Sequence, residues 1–299
     1  VFEKVYNAAS QKAGAGIRGR VFAKAFDHFV QWSKDEQDGG HHSMVARAEH
    51  SFFMSVVGKS IRSALGPNLK YLACGGAPLN VDLAHFFNGM DGITFIQGYG
   101  MTETAAPMIV NWQNANRVGS VGKPGPGMGV RTDDDGELQV MGPNVFLGYY
   151  KNPEKTAEVK MPDGWLRTGD LGAIDDDGFV YITGRKKDII VRGGENISSR
   201  EVEDIVLEYP GVREAAVVAM PDERLGERSC ACVSMRPGAP AMHLTDLVAF
   251  FDGRRVAKYK FPEYLVVLDA LPRTSSGKLQ KFALARMVRE RVAAGQPSD

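Results

Sequence analysis

The 299-residue sequence predicts an α/β region followed by a smaller α+β domain. Short apolar strands that end in glycine turns and lead into helices follow one another at residues 69–88 and 93–100, a pattern typical of α/β folds. Asp-Asp-Asp-Gly turns at 133–136 and 175–178 divide a strand-rich stretch, which indicates an antiparallel, barrel-like β region. A charged break at 184–188 then predicts two domains, residues 1–186 and 187–299.

The N-terminal segment, residues 1 to about 33, is predicted to form one or two amphipathic helices. Phe2, Val5, Tyr6 and Ala9 recur at helical spacing, with basic residues between them. A membrane-surface helix and a helix packed on a larger domain are the two alternatives, and the second is favoured. A polar loop at 35–43 follows, in which His41 and His42 are predicted to be solvated, and then a second helical stretch at 44–64.

The second domain has its own start and stop signals. Ser198 with Glu201 fits a capping box and predicts a helix that ends at Pro210-Gly211. Further strands are predicted at 212–220 and 263–268, and further helices at 245–251 and 281–292.

Composition excludes some functional classes. Lys+Arg and Asp+Glu are both 36, and this balance argues against a nucleic-acid partner. No apolar run reaches the ~18 residues of a transmembrane helix, although peripheral membrane contact through the N-terminal segment stays open. The three cysteines are too few for a disulfide framework and are predicted to be free thiols in a reducing, cytoplasmic compartment.

Two glycine turns at predicted strand ends carry candidate ligand-binding groups. Gly75-Gly76-Ala77-Pro78 would let backbone approach a flat ligand, although taken alone it is a common strand-to-helix turn. The segment Gln97-Gly98-Tyr99-Gly100-Met101-Thr102-Glu103-Thr104 is more specific. It combines a ring that can stack, a hydroxyl that can bond a phosphate and a carboxylate that can hold Mg²⁺.

Three later segments are also candidates. The Thr-Gly-Asp turn at 168–170 presents Asp170, a carboxylate suited to vicinal ribose hydroxyls. The charged break at 184–188 contains Arg185, Lys187 and Lys186, the last of which is interpreted as a solvated charge. The segment at 271–278 (LPRTSSGK) ends on Lys278, a mobile cation on a glycine-containing loop.

In this order, the five segments resemble the motifs of the acyl-adenylate-forming superfamily, in particular AMP-forming acyl-CoA synthetases. The resemblance implies a partial large adenylate-forming domain followed by a small mobile C-terminal domain. It implies that Lys278 is catalytic and bridges the substrate carboxylate and the α-phosphate. It implies that Glu103 holds Mg²⁺, that Lys187 is the hinge and that Gly194, in a Gly-Gly turn, contacts coenzyme A. The implied nucleotide-binding residues are Gly75, Gly76, Ala77, Pro78, Gln97, Gly98, Tyr99, Gly100, Met101, Thr102, Asp170 and Arg185.

The implied activity is ATP- and Mg²⁺-dependent conversion of an apolar, fatty or alicyclic carboxylic acid to its coenzyme A thioester. The family's Ser/Thr/Gly-rich phosphate loop ending in Lys-Gly is not found in this sequence. We therefore expect the chain to be a C-terminal fragment or truncated product of a larger ligase. Transfer to a carrier-protein thiol, a non-catalytic nucleotide-binding remnant and a purely structural interaction protein are the alternatives.

Overall fold

The N-terminal helices pack on the sheet-bearing part of the chain. A computed structural model describes residues 2–14, 16–76, 79–105, 107–275 and 277–293. Helix α1 (Phe2–Ala13) is followed by α2 (Ile17–Gln37), α3 (Met44–Phe53), a π-helical turn (Met54–Gly58) and α4 (Lys59–Leu65). None of the described helices has both the length and the apolar character needed to cross a bilayer.

An aromatic core explains where these helices lie. Phe29 of α2 is fully buried with Phe86 and Phe87, and Phe2 and Tyr6 of α1 contact the same rings at centroid distances of 5.6 and 5.7 Å. The apolar faces are therefore covered by protein, as predicted for a helix packed on a larger domain.

The first sheet has the strand order β1-β2-β3-β4. Strand β1 runs parallel to β2, and helix α5 lies between them in the chain, beginning after Asn80, whose side chain accepts a hydrogen bond from the Leu83 amide. The predicted succession of strand, glycine turn and helix is confirmed. The elements are β1 (Tyr71–Gly75), α5 (Val81–Asn88), β2 (Thr94–Tyr99), β3 (Ile109–Val110) and β4 (Lys123–Pro124).

The turn-rich middle of the chain forms a second sheet in chain order, β5-β6-β7-β8. Its tight turns use Gly136 and Gly178, both at positive φ (80° and 82°), where glycine is favoured. The elements are β5 (Gly129–Thr132), β6 (Glu137–Met141), α6 (Pro153–Val159), β7 (Leu166–Ile174) and β8 (Val180–Arg185).

The third sheet has the order β10-β9-β12-β11, and β13 pairs parallel with β12. Alternate residues of β11 face opposite sides, as strand geometry requires. Val217 packs in one cluster with Val206, whereas Ala216 joins Leu284 in another. The elements are β9 (Ile189–Arg192), β10 (Glu195–Ser198), α7 (Ser199–Leu207), β11 (Val212–Asp222), β12 (Gly226–Met235), α8 (Leu244–Asp252), β13 (Tyr264–Val267) and α9 (Lys281–Ala293).

The chain divides into two compact units, each with its own apolar clusters, so the predicted mixed α/β and α+β architecture is confirmed. The first unit is Val1–Arg131, Gln139–Arg167 and Ile174–Tyr181, and the second is Thr132–Leu138, Thr168–Ala173 and Ile182–Asp299.

The prediction that His42 is solvated was wrong. Its ring stacks on Trp32 with the centroids 3.5 Å apart, and its Nε2 is buried and has no hydrogen-bond partner in the part of the chain that the structure describes. A polar sequence context could not reveal this contact, because the stacking partner lies on α2 rather than in the loop.

Candidate functional site

The first two motifs lie side by side at the carboxyl ends of adjacent parallel strands. In the register of β1 and β2, Cys74 pairs with Gln97 and Gly75 pairs with Gly98. A Cβ atom added to Gly75 would lie 3.2 Å from the Gly98 carbonyl oxygen, so a side chain there would press on the neighbouring backbone. The carboxyl edge of such strands is where α/β proteins bind ligands. Ala77 and Pro78 lie outside the described residues.

Gln97 leaves a polar atom unsatisfied at this edge. Its Oε1 is buried and has no hydrogen-bond partner among the described residues. Buried polar atoms are normally paired, so an unpaired one calls for an explanation. A nucleotide base with an amino group is a ligand that would satisfy it. Gly98, Tyr99, Gly100 and Met101 follow, all partly buried.

The motif then makes a single helical turn, Thr102–Thr104. The Thr104 hydroxyl is buried and accepts a hydrogen bond from the Met101 amide at 3.0 Å. Thr102 is exposed. Its hydroxyl is therefore accessible to a ligand, while Thr104 holds the turn together.

Glu103 is held by residues that the sequence reasoning missed. The Tyr149 hydroxyl donates to Glu103 Oε1 at 2.7 Å, and this hydrogen bond, with burial, raises the pKa of Tyr149 to about 12. The Phe146 amide donates to the Glu103 carbonyl at 2.8 Å, and the Asn144 side chain donates to the Thr104 carbonyl at 2.7 Å. The two segments are about 40 residues apart in the chain, and no local pattern pairs them.

This arrangement fits a magnesium ligand. The other carboxylate oxygen of Glu103 has no hydrogen bond to the residues that the structure describes. A single carboxylate oxygen is what Mg²⁺ commonly takes from a protein when phosphates supply further ligands.

Asp170 and Arg185 come together in the second unit. The Arg185 Nε lies 3.0 Å from Asp170 Oδ1, and the Asp170 side chain is mostly buried while that of Arg185 is about half exposed. The Asp170 amide bonds the Thr168 hydroxyl at 3.1 Å, and that hydroxyl donates to the Leu138 carbonyl at 2.7 Å. Gly169 between them has φ of 72°. Residues 168–170, predicted to form a turn, therefore lie within strand β7, and Asp170 is paired there with Arg185, the last residue of the neighbouring strand β8.

Lys186 is exposed, in agreement with its interpretation as a solvated charge, and it is also paired with carboxylates. Its ammonium lies 3.1 Å from Asp135 Oδ2 and 3.3 Å from Glu137 Oε2, and these two hydrogen bonds raise the pKa of Lys186. Glu137 is buried, and its other oxygen accepts from the Gly169 amide at 2.9 Å. Lys186 is paired because Asp135, in the turn before β6, and Glu137, the first residue of β6, lie near the end of β8. Their separation in the sequence conceals this pairing.

Lys187, the predicted hinge, is exposed in a short turn, Lys186–Asp188. No ion pair joins it to any described residue. Its two neighbours are held: Lys186 by the carboxylates above, and Asp188 by Lys281, whose Nζ lies 3.7 Å away. Lys281 also lies 2.6 Å from Glu203 Oε1.

Gly194 and Lys278 occupy two exposed loops of the second unit. Gly193 and Gly194 form the two-residue turn between β9 and β10, both at positive φ, as such hairpins require. Lys278 closes a loop in which Thr274 donates its amide to the Lys278 carbonyl at 2.8 Å and accepts the Lys278 amide on its hydroxyl at 3.0 Å. These two hydrogen bonds join Thr274 to Lys278, and the Lys278 side chain is exposed.

Family models match both parts of the chain. The model described as AMP-binding enzyme matches residues 23–150, and the model described as AMP-binding enzyme C-terminal domain matches residues 201–278. The chain belongs to this family of AMP-binding enzymes.

Individual relatives agree with this assignment. The chain is 45% identical over 236 residues to a medium-chain fatty-acid–CoA ligase of Escherichia coli strain K12, covering 75% of this chain and 42% of the relative. It is 46% identical over 219 residues to the long-chain-fatty-acid–CoA ligase FadD15 of Mycobacterium bovis, covering 73% and 36%. ATP-bound MatB from Rhodopseudomonas palustris is a structural match with a TM-score of 0.69 and 34% identity, covering 77% and 50%. The chain therefore spans half or less of these proteins.

Proposed function

We propose that this chain takes part in the ATP-dependent activation of an apolar carboxylic acid and its transfer to coenzyme A. The observation that carries the proposal is the paired strand ends of the first unit. They bring the Gly75 turn and the Gln97–Thr104 motif together and leave Gln97 with a buried oxygen that has no hydrogen-bond partner among the described residues. A buried acceptor oxygen at this edge fits the amino group of adenine, and the relatives described above are acid–CoA ligases.

In the first half-reaction the acid carboxylate attacks the α-phosphorus of ATP and expels pyrophosphate, leaving an acyl-adenylate. In this proposal Tyr99 stacks on the base, Thr102 donates to the α-phosphate, and Asp170 accepts from the ribose hydroxyls. Lys278 places its ammonium against the charge that develops between the carboxylate and the phosphate. Mg²⁺ held by Glu103 would offset phosphate charge when bound.

In the second half-reaction the coenzyme A thiol attacks the acyl carbonyl, and AMP leaves. The exposed Gly193-Gly194 turn has no side chains and lets the thiol-bearing arm pass close to backbone, as the proposal requires. Lys187 is the proposed hinge, and the predicted boundary after residue 186 is part of the same proposal. The three described cysteines are free thiols, and the reducing cytoplasm is the proposed location.

The proposal is tested by thioester formation with the purified chain, ATP, Mg²⁺, coenzyme A and a panel of acids. The panel contains octanoate, palmitate, cyclohexanecarboxylate, acetate and phenylalanine. We expect thioester formation with the apolar acids and less with acetate. Preference for phenylalanine, or transfer only to a carrier-protein thiol, would contradict the proposal. AMP binding without any turnover would favour a nucleotide-binding remnant instead.

A further inference from the structure

Glu137 is a buried carboxylate with two different partners, and the function proposed above gives it no role. Its side chain is 6% exposed. One oxygen accepts from the Gly169 amide at 2.9 Å, and the other faces the Lys186 ammonium at 3.3 Å. A buried carboxylate is costly unless it is paired, so both partners stabilise its charged form.

Gly169 directly precedes Asp170 in strand β7. Gly169 has φ of 72°, and its neighbours are tied by the Thr168 hydroxyl, which bonds both the Asp170 amide and the Leu138 carbonyl. Glu137 supplies a further hydrogen bond to this segment of β7 and connects it to Lys186, next to Arg185. Because Arg185 contacts Asp170 at 3.0 Å, the Asp170 carboxylate, its strand segment and its cationic partner form one connected network.

We infer that Glu137 is a positioning residue for nucleotide ribose: by holding the Gly169 amide it sets the direction in which the Asp170 carboxylate meets the ribose hydroxyls. This inference rests on the proposed nucleotide binding of this chain. Glu137 touches no ligand itself, so its loss weakens only the part of binding that depends on those hydroxyls. A general loosening of the fold would instead weaken every nucleotide alike.

The test compares the Kd of AMP with that of 2′,3′-dideoxy-AMP by calorimetry on the whole chain. Wild type should bind AMP more tightly. Glu137→Met, whose thioether is only a weak hydrogen-bond acceptor, should weaken AMP binding about tenfold and leave dideoxy-AMP binding unchanged. Glu137→Gln retains an acceptor oxygen and should restore most of the AMP preference. Glu223→Met is the matched control at an exposed glutamate of the same unit and should change neither Kd.

Equal weakening of both nucleotides by Glu137→Met, or no weakening of either, overturns the inference while leaving the proposed function standing. A wild-type chain that binds both nucleotides equally refutes the role of Asp170 and the inference with it. A wild-type chain that binds neither refutes the proposed function as well. If circular dichroism shows that Glu137→Met does not fold, Thr168→Val removes a second support of the same segment of β7 and should also lower the preference for AMP over dideoxy-AMP. An unchanged preference in that variant overturns the inference.

Discussion

The hydrogen bond from Tyr149 to Glu103 leads to a test of the proposed magnesium site. Tyr149→Phe removes only the hydroxyl, which lies 2.7 Å from Glu103 Oε1. Hydrogen bonds to charged groups contribute about 1.5–3 kcal/mol, and partial exposure reduces this one to about 1 kcal/mol. Since about 1.4 kcal/mol corresponds to a tenfold change in Kd, we expect Mg²⁺-dependent ATP binding to weaken about fivefold.

The assay is calorimetric titration of ATP in excess Mg²⁺ and again in EDTA. Tyr150→Phe is the matched control, because the neighbouring tyrosine side chain is exposed. The loss should be confined to Tyr149→Phe and to the titration with Mg²⁺. An equal loss in EDTA would mean that Tyr149 only supports the fold, and identical behaviour of the two variants would refute the positioning of Glu103.

Two further predictions concern stability. Burial lowers the pKa of His85 from 6.5 to about 4, so the unfolded chain takes up a proton first as the pH falls. The contribution of neutral His85 to the free energy of unfolding is fully present above about pH 6.5. The free energy of unfolding should therefore fall by about 2 kcal/mol between pH 7 and pH 5. Urea unfolding should show this decrease with falling pH in wild type and a smaller decrease in His85→Asn. An equal pH dependence of the unfolding free energy in the two proteins would contradict the prediction. Lys281→Met strips Glu203 of its partner at 2.6 Å and should lower the free energy of unfolding by about 3 kcal/mol. The exposed ion pair of Arg286 with Glu290 is the control. Arg286→Ala should lower the free energy of unfolding by less than about 0.5 kcal/mol, and similar losses in the two variants would contradict the prediction that burial makes the Lys281 pair the stronger one.

The strand ends of the first unit could be predicted from sequence because their signals are local. Gly75-Gly76 follows an apolar run directly, and the next strand ends at Gly98-Tyr99-Gly100. Parallel pairing of the two strands then places both turns at one edge without further information.

The supports of the site could not be predicted in the same way. Tyr149 bonds Glu103 across 46 residues, and Glu137 bonds Gly169 across 32. Glu137 follows a turn, and Tyr149 is one of two adjacent tyrosines. Neither local sequence pattern identifies the residue to which the side chain bonds. The pairing of Lys186 was missed for the same reason, since its carboxylate partners lie about 50 residues earlier in the chain.

The central claim is that Lys278 serves acyl-adenylate formation, and separating the two half-reactions tests it most directly. Lys278→Ala should abolish formation of acyl-adenylate from ATP and acid, yet retain thioester formation from supplied acyl-adenylate and coenzyme A. Lys258→Ala, at another exposed lysine of the second unit, is the control and should affect neither. Equal survival or equal loss of both half-reactions in Lys278→Ala would contradict the account.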